Sequence, residues 1–243
     1  MFLVGTLLNV TTVLIGTTLG LLVGARMPPR IQNALTSALG LFVLAIGTSM
    51  AIQIFGPGVP AGNGLAVLAA LLGGVVVGEL LRLQDGLEGL GAWFQARLST
   101  GSEPSRVAAG FVTASLVFCV GPLTVLGSLQ NGLSGDITLL STKSVLDGVA
   151  SVAFAAALGP GVYLSAITVL VIQGSIAGLA FLLSGVMDVP TVTAISSVGG
   201  LILLGVGLRM LDLKALPVAN FLPALVLAPL LVRVADLIRG ALP

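Results

Sequence analysis

Two residues of opposite charge, Lys143 and Asp147, stand four positions apart in an otherwise apolar stretch of the chain. Residues at this spacing share one face of a helix, so the ammonium and the carboxylate can pair. In one interpretation the amine extends to a membrane interface and the pair only anchors its helix. In another, Asp147 faces a cavity, where it binds a cation or takes a proton, and Lys143 is a gating counter-charge. A contact between copies of the chain is the third.

Gly121 and Pro122 interrupt the apolar stretch that precedes this pair. Proline has no N–H for the carbonyl one turn earlier, so a carbonyl oxygen is released from the helix ladder. In transporters such carbonyls coordinate ions, or they accept hydrogen bonds from neighbouring Ser and Thr side chains. A plain packing kink is the alternative.

Uncharged polar residues in and near these and other apolar stretches are further candidates to bind an ion or a small solute. In a membrane such residues either join neighbouring helices or line a cavity. Besides the four residues above, the candidates are Ser115, Thr124, Asn131, Ser144, Asn9 and Gln173.

The composition identifies the setting in which these residues act. Of 243 residues 56% are hydrophobic and 8% are charged, whereas soluble domains carry about a quarter charged residues. A net charge of +1 gives no reason to expect a nucleic-acid partner. With no histidine and one cysteine, we expect neither a metal, nor a cofactor, nor an enzyme. We predict an all-α polytopic protein whose partner is the lipid bilayer.

Eight apolar stretches are each long enough to cross a hydrocarbon core about 30 Å thick. The first lacks the basic flank and the cleavage pattern of a signal peptide. A re-entrant helix at Gly121-Pro122 or around Lys143 would reduce the count to seven. The predicted spans are 2–24, 31–54, 63–81, 107–129, 137–158, 162–185, 191–211 and 217–238.

A charge-rich segment at 83–106 separates the third span from the fourth. Leucines at helical spacing in it, beginning with Leu83 and Leu87, predict an amphipathic helix at the membrane surface. The predicted domains are repeat one at 1–82, this linker at 83–106, a central helix pair at 107–158 and repeat two at 159–243.

The two repeats are predicted because three spans recur in the same order. The second and seventh spans align at an offset of 160 residues, the third and eighth at 157, and the first and sixth at 158. With eight crossings, corresponding spans have opposite orientation, as in secondary transporters whose site lies near the midplane between inverted repeats. Seven crossings would make the repeats parallel. The pairs include Gly40 with Gly200, Gly47 with Gly207, Asn63 with Asn220, Arg82 with Arg239 and Gly16 with Gly174.

Three motifs in the central pair resemble the signature of a known bacterial family. They are FCVGPLTVLGS at 118–128, QNGLSGD at 130–136 and KSVLDG at 143–148. The family is domain of unknown function 554, the YqgA/YdfK-like membrane proteins, and the resemblance covers nearly the whole chain. It implies an integral inner-membrane protein, with transport as a candidate role, and supplies no substrate.

Together these observations predict a secondary transporter of an ion or small polar solute, with its site at the central pair. An ion channel and a non-transporting scaffold are the alternatives. The distribution of Lys and Arg places the N-terminus outside for either span count. Glycines four residues apart, such as Gly16, Gly20 and Gly24, predict close helix packing within the chain or a homodimer seam.

Overall fold

The computed structural model describes residues 3–26, 28–56, 59–60, 62–86, 89, 104–119, 122–180 and 188–241, and this part of the chain is helical, without strands. The all-α prediction is confirmed. Two short 3-10 turns lie at Ile52–Phe55 and Val218–Phe221. The α-helices, in chain order, are α1 (Val4–Gly24), α2 (Pro29–Ala51), α3 (Gly62–Leu80), α4 (Pro104–Cys119), α5 (Pro122–Ser134), α6 (Thr138–Leu158), α7 (Val162–Gly178), α8 (Val189–Met210) and α9 (Ala224–Ala241).

Six helical segments of the described residues are long and apolar enough to cross a membrane. Helices α4 and α5 qualify only as a pair, bent by 60° at the break between them. Helix α7 is also apolar but has 17 residues. The prediction of a polytopic membrane protein is thus supported, with six or seven candidate spans. The six are Val4–Gly24, Asn33–Phe55, Gly62–Leu80, Thr138–Leu158, Val189–Met210 and Val218–Arg239.

Large apolar side chains cover the outside of the bundle. Leu22, Leu41 and Leu65 expose 62%, 62% and 71% of their surface. A surface of this kind would cause association in water, whereas lipid solvates it.

The break between α4 and α5 follows from Pro122, which cannot donate to the carbonyl of Phe118, four residues earlier. The Thr124 hydroxyl donates to that carbonyl instead, at 3.0 Å. Both Phe118 and Thr124 are buried. This oxygen is therefore satisfied by a neighbouring Thr, one of the outcomes the sequence left open. The predicted span 107–129 consists of two helices, and Gly121 lies outside the described residues.

Helix α1 packs along α6 through glycines. A β-carbon at Gly16 would collide with the hydroxyl of Ser151, and one at Gly24 would lie 2.9 Å from the Ala156 backbone. Backbones approach this closely only where side chains are absent. The order of these contacts shows that α1 and α6 run parallel. The glycine spacing thus serves packing within the chain, and the homodimer stays a prediction.

Helices α2 and α8, which correspond in the two predicted repeats, pack together at two glycine pairs. A β-carbon at Gly207 would lie 3.0 Å from the carbonyl oxygen of Gly40, and one at Gly47 would lie 2.8 Å from that of Gly200. The helices are therefore antiparallel. Moreover, Gly40 and Gly200 correspond at the offset of 160 residues, and so do Gly47 and Gly207. Exchanging each glycine for its counterpart therefore turns one contact pair into the other.

Helices α3 and α9 are also antiparallel, because Gly62 lies beside Arg239 and Gly74 lies against the backbone of Ala224. Asn63 and Asn220 also make equivalent hydrogen bonds within their own segments. Each backbone N–H donates to the carbonyl of a proline three residues earlier, at 2.9 Å in both cases.

Helix α7 runs antiparallel to α1 and parallel to the broken pair. Thr18 of α1 bonds the hydroxyl of Tyr163 at 2.8 Å, while Leu3 lies near Gly174. Along the broken pair, Gly161 contacts Val107, Thr168 bonds Ser115, and Ala177 contacts Gly132, in rising order on both sides. Helices α4 and α5 together thus follow the whole length of α7.

The linker predicted at 83–106 lies outside the described residues, apart from 83–86, 89 and 104–106.

Candidate functional site

Lys143 and Asp147 form an ion pair inside the bundle, as their spacing predicts. The Nζ atom of Lys143 lies 2.6 Å from Oδ2 of Asp147, and each side chain is 7% exposed. Asp147 lies near the middle of α6, which has 21 residues. The amine therefore points to a buried carboxylate and does not extend to an end of the helix.

Asn9 of α1 is the second donor to the same carboxylate. Its amide Nδ2 donates to Oδ2 of Asp147 at 2.8 Å, and the side chain is fully buried. The parallel packing of α1 on α6 makes this contact feasible, because it brings the two backbones together near mid-helix. One carboxylate oxygen thus receives hydrogen bonds from two helices.

The site carries no net charge, and removing one of its two charges destabilises the fold. Burying two charges carries a desolvation penalty that their attraction offsets only with good geometry and additional hydrogen bonds. Asn9 supplies such a bond to Asp147. Removing either charge alone leaves the other uncompensated, so a change of partner at this site has to bring a compensating charge.

Two other predicted site residues have their hydroxyls engaged elsewhere. Ser144, on the same helix as the pair, donates to the carbonyl of Leu140 at 2.7 Å. Ser115 donates to Thr168 of α7 at 3.0 Å. With Thr124 closing the helix break, these three residues have structural partners in this conformation.

Asn131 and Gln173 are different, because both amide atoms of each side chain are enclosed without a hydrogen-bond partner. Both residues are fully buried. Asn131 of α5 approaches α1, since a β-carbon at Gly5 would lie 3.3 Å from its Oδ1. Sequence reasoning selected both residues, and the structure places them in the same group of helices as Asn9.

Two residues that the candidate set omits belong beside them. Thr6 and Ser128 are fully buried, and neither hydroxyl has a partner. The sequence spacing could have identified both residues. Thr6 precedes Asn9 by three residues and Ser128 precedes Asn131 by three, so each hydroxyl lies on the same helix face as that asparagine.

The turn between α5 and α6 holds the ends of these helices in register. The side-chain hydroxyl and the backbone N–H of Thr138 donate to Asp136 at 2.7 and 2.9 Å, and they hold the pKa of this carboxyl below its usual value. Gln130 donates to the other carboxylate oxygen at 2.7 Å.

A separate cavity of about 260 Å³ lies between the C-terminal ends of α6 and α8 and the N-terminal ends of α2 and α4. It does not include the ion pair. The polar residues that line the cavity are Thr36, Gln84, Arg106, Thr113, Arg209 and Asp212.

Among the described residues, no group of three His, Cys, Asp or Glu side chains is arranged to hold a metal.

Comparison with known proteins finds relatives over nearly the whole chain. A family model described as "Protein of unknown function (DUF554)" matches residues 4–233. The chain is 34% identical to "Uncharacterized protein YqgA" of Escherichia coli (strain K12) over 228 residues, which cover 93% of this chain and 94% of that protein. It is 28% identical to "Uncharacterized membrane protein YdfK" of Bacillus subtilis (strain 168), over 94% of this chain and 95% of that protein. No solved structure matches.

Proposed function

The chain belongs to the DUF554 family of proteins of unknown function, and from its buried ion pair we propose that it is a secondary transporter of an ion or small polar solute in the bacterial inner membrane. The relative in Bacillus subtilis is called a membrane protein, which agrees with the apolar helices of this chain.

The Lys143–Asp147 pair is the observation that carries this proposal. Ionisable side chains within apolar helices are costly in a membrane, and they commonly mark ion pathways or proton relays. Here both charges are buried, and the acidic one lies near the middle of its helix. Replacing a buried ion pair by apolar residues of similar volume is often neutral or stabilising, so stability alone gives little reason for a pair at these positions.

Each residue of the pair has a role in the proposed cycle. Asp147 binds the cation or proton, and Lys143 compensates the carboxylate when that site is empty. Asn9 holds the carboxylate from α1, so that the site spans repeat one and the central pair. Loading and release then exchange one positive partner of the carboxylate for another. The buried site stays neutral because Lys143 releases its proton, or withdraws its ammonium from the bundle, as the cation or proton binds.

The helix directions support inverted repeats. Helices α1, α2 and α3 each run antiparallel to their counterparts α7, α8 and α9, as expected if the two three-helix units have opposite orientation. The broken pair runs beside α7 in the same direction. This arrangement supports eight crossings, with α4 and α5 together forming one broken crossing and α7 a short one.

A reporter fused to each terminus tests this topology. Eight crossings place both termini on the same side, which the distribution of Lys and Arg predicts to be external. A cytoplasmic C-terminus beside an external N-terminus would rule out the inverted repeat.

Transport itself is tested with the purified chain in proteoliposomes given gradients of protons, Na⁺, K⁺ and small polar solutes. We expect Asp147→Asn to abolish uptake of whatever the parent carries while expression remains intact. Because this change leaves Lys143 without its counter-charge, the double variant Lys143→Met/Asp147→Asn, which leaves no buried charge, is measured beside it and should abolish uptake as well. Asp85→Asn is the matched control, because Asp85 has 58% of its side chain exposed. Unchanged uptake by Asp147→Asn would refute the assignment. Unitary conductance steps in a planar bilayer would identify a channel instead.

A further inference from the structure

Polar side chains with unused hydrogen-bonding atoms lie on α1, α5 and α7, beginning at Asn9, which bonds the carboxylate of the ion pair. Each is completely buried and has at least one enclosed atom without a partner. Thr17, Asn63 and Thr191 share these two properties but do not take part in the contacts described next. We call the set on α1, α5 and α7 the polar cluster, and its members are Thr6, Asn9, Ser128, Asn131 and Gln173.

Packing contacts bring the three helices of the polar cluster together. Gly5, next to Thr6 on α1, lies against Asn131 of α5. Gly132, the next residue on α5, lies against Ala177 of α7, which is one helical turn beyond Gln173. Asn9 connects the cluster to the carboxylate of Asp147 through its Nδ2, while its Oδ1 has no partner.

Such a concentration of unused polar atoms requires an explanation. The large majority of buried side-chain polar atoms in folded proteins have a hydrogen-bond partner, and leaving one unsatisfied destabilises the fold. Asn131 and Gln173 leave both amide atoms without one. Apolar residues of similar size would fit these helices without that cost, so the amides point to a guest that supplies the missing bonds.

The chemistry of the unused atoms restricts this guest. Amide Nδ2 of Asn131 and Nε2 of Gln173 are donors, which cannot ligate a cation, whereas the amide oxygens are acceptors. The neighbouring charges of Lys143 and Asp147 already balance one another. An ion would add a net charge to a buried neutral site, and a neutral guest would not.

We propose that the polar cluster binds a small uncharged solute that carries both hydrogen-bond donors and acceptors, the class that includes water, urea and glycerol. Since its atoms are completely enclosed in this conformation, the solute enters when α1, α5 and α7 separate during the transport cycle. The inference rests on the proposed function in placing the cluster on the transport path. It makes this class of solute the cargo, with Asp147 beside it as the group that binds the coupling cation or proton.

Stopped-flow light scattering on proteoliposomes tests the proposal. The vesicles are given gradients of an impermeant osmolyte, urea, glycerol and NaCl in turn, which separates water from the larger neutral solutes and from ions. We expect the double variant Asn131→Leu/Gln173→Met to lower the flux of a neutral solute by about tenfold or more, because a site built on hydrogen bonds loses them. The control is Asn33→Leu, which removes an exposed amide from α2 and leaves the flux unchanged.

Thermal melting of the same variants in detergent gives a second measurement that does not depend on transport. Amides reserved for a guest bond no protein group, so we expect the double variant to melt no lower than the parent. The proposal is overturned if the double variant carries neutral solutes as fast as the parent, or if the parent carries Na⁺ and no neutral solute. A melting temperature of the double variant below that of the parent also overturns it. If the parent carries nothing, the proposed function fails, and melting still decides whether the amides serve the protein itself. If the double variant does not fold, Thr6→Val/Ser128→Ala, which removes two hydroxyls with little change of shape, replaces it in both measurements.

Discussion

Asn63 and Asn220 correspond in the two predicted repeats, yet their side chains accept hydrogen bonds from different donors. The Oδ1 atom of Asn63 accepts from the guanidinium of Arg239 at 2.6 Å. The Oδ1 atom of Asn220 accepts from the backbone N–H of Gln84 at 2.8 Å. Two ends of the bundle with corresponding sequences therefore adopt two different arrangements.

The two arginines that correspond at these ends should respond differently to substitution. Arg239→Gln loses a charge-assisted bond to Asn63 and is expected to destabilise the fold by about 1.5 to 3 kcal/mol. Arg82 pairs with Asp85 on the surface, where its side chain is 79% exposed, so Arg82→Gln should change stability by less than about 1 kcal/mol. Melting curves compare the two variants. Equal effects of the two variants on the melting temperature would contradict the asymmetry. If the two arrangements exchange during transport, Arg82→Gln also slows uptake several-fold.

Glycine at position 16 is required by the contact between α1 and α6. In Gly16→Ala the new β-carbon overlaps the Ser151 hydroxyl and the Gly148 carbonyl oxygen. We expect this overpacking to lower the free energy of unfolding by about 1 to 3 kcal/mol. Gly174→Ala is the matched control from the corresponding helix, because its nearest neighbour, Leu3, would lie at 3.5 Å. Yield and melting temperature in detergent measure both. Equal tolerance of the two variants would contradict the close approach.

The ion pair should show strong coupling in a double-mutant cycle. Lys143→Met leaves the buried carboxylate without its counter-charge and is expected to cost about 3 to 5 kcal/mol. Adding Asp147→Asn removes that charge, so the double variant should recover most of the loss. Denaturation of the parent, the two single variants and the double variant gives the coupling energy. Simple additivity would show that the two charges do not interact.

The hydroxyl of Thr124 should matter more than its methyl group. Thr124→Val keeps the shape but leaves the carbonyl of Phe118 without a donor, which is expected to cost about 1 to 3 kcal/mol. Thr124→Ser keeps the donor and should stay closer to the parent. Melting temperatures of the two variants provide the comparison, and a more stable valine variant would show that the carbonyl has another partner.

Local spacing predicted those parts of the site that depend on one helix. The pairing of Lys143 with Asp147 follows from four-residue spacing, and the break follows from the missing N–H of Pro122. The apolar stretches likewise predicted helices close to the observed bounds, since length and hydropathy decide that alone.

Contacts between distant helices could not be derived in this way. Asn9 and Asp147 are separated by 138 positions in the chain, and no pattern indicates that α1 packs on α6. The glycines of α1 predicted a close neighbour but not its identity. Similarly, the sequence selected Ser115 for the site, whereas tertiary packing gives it Thr168 as a partner.

The helix break has a consequence beyond the carbonyl that Thr124 satisfies. At this point α4 ends and α5 begins beside the buried Phe118, so the negative end of one backbone dipole and the positive end of another meet within the bundle. These partial charges belong to the main chain and persist through any side-chain substitution that keeps the break. The electrostatic field around the neighbouring ion pair is thus set partly by backbone geometry.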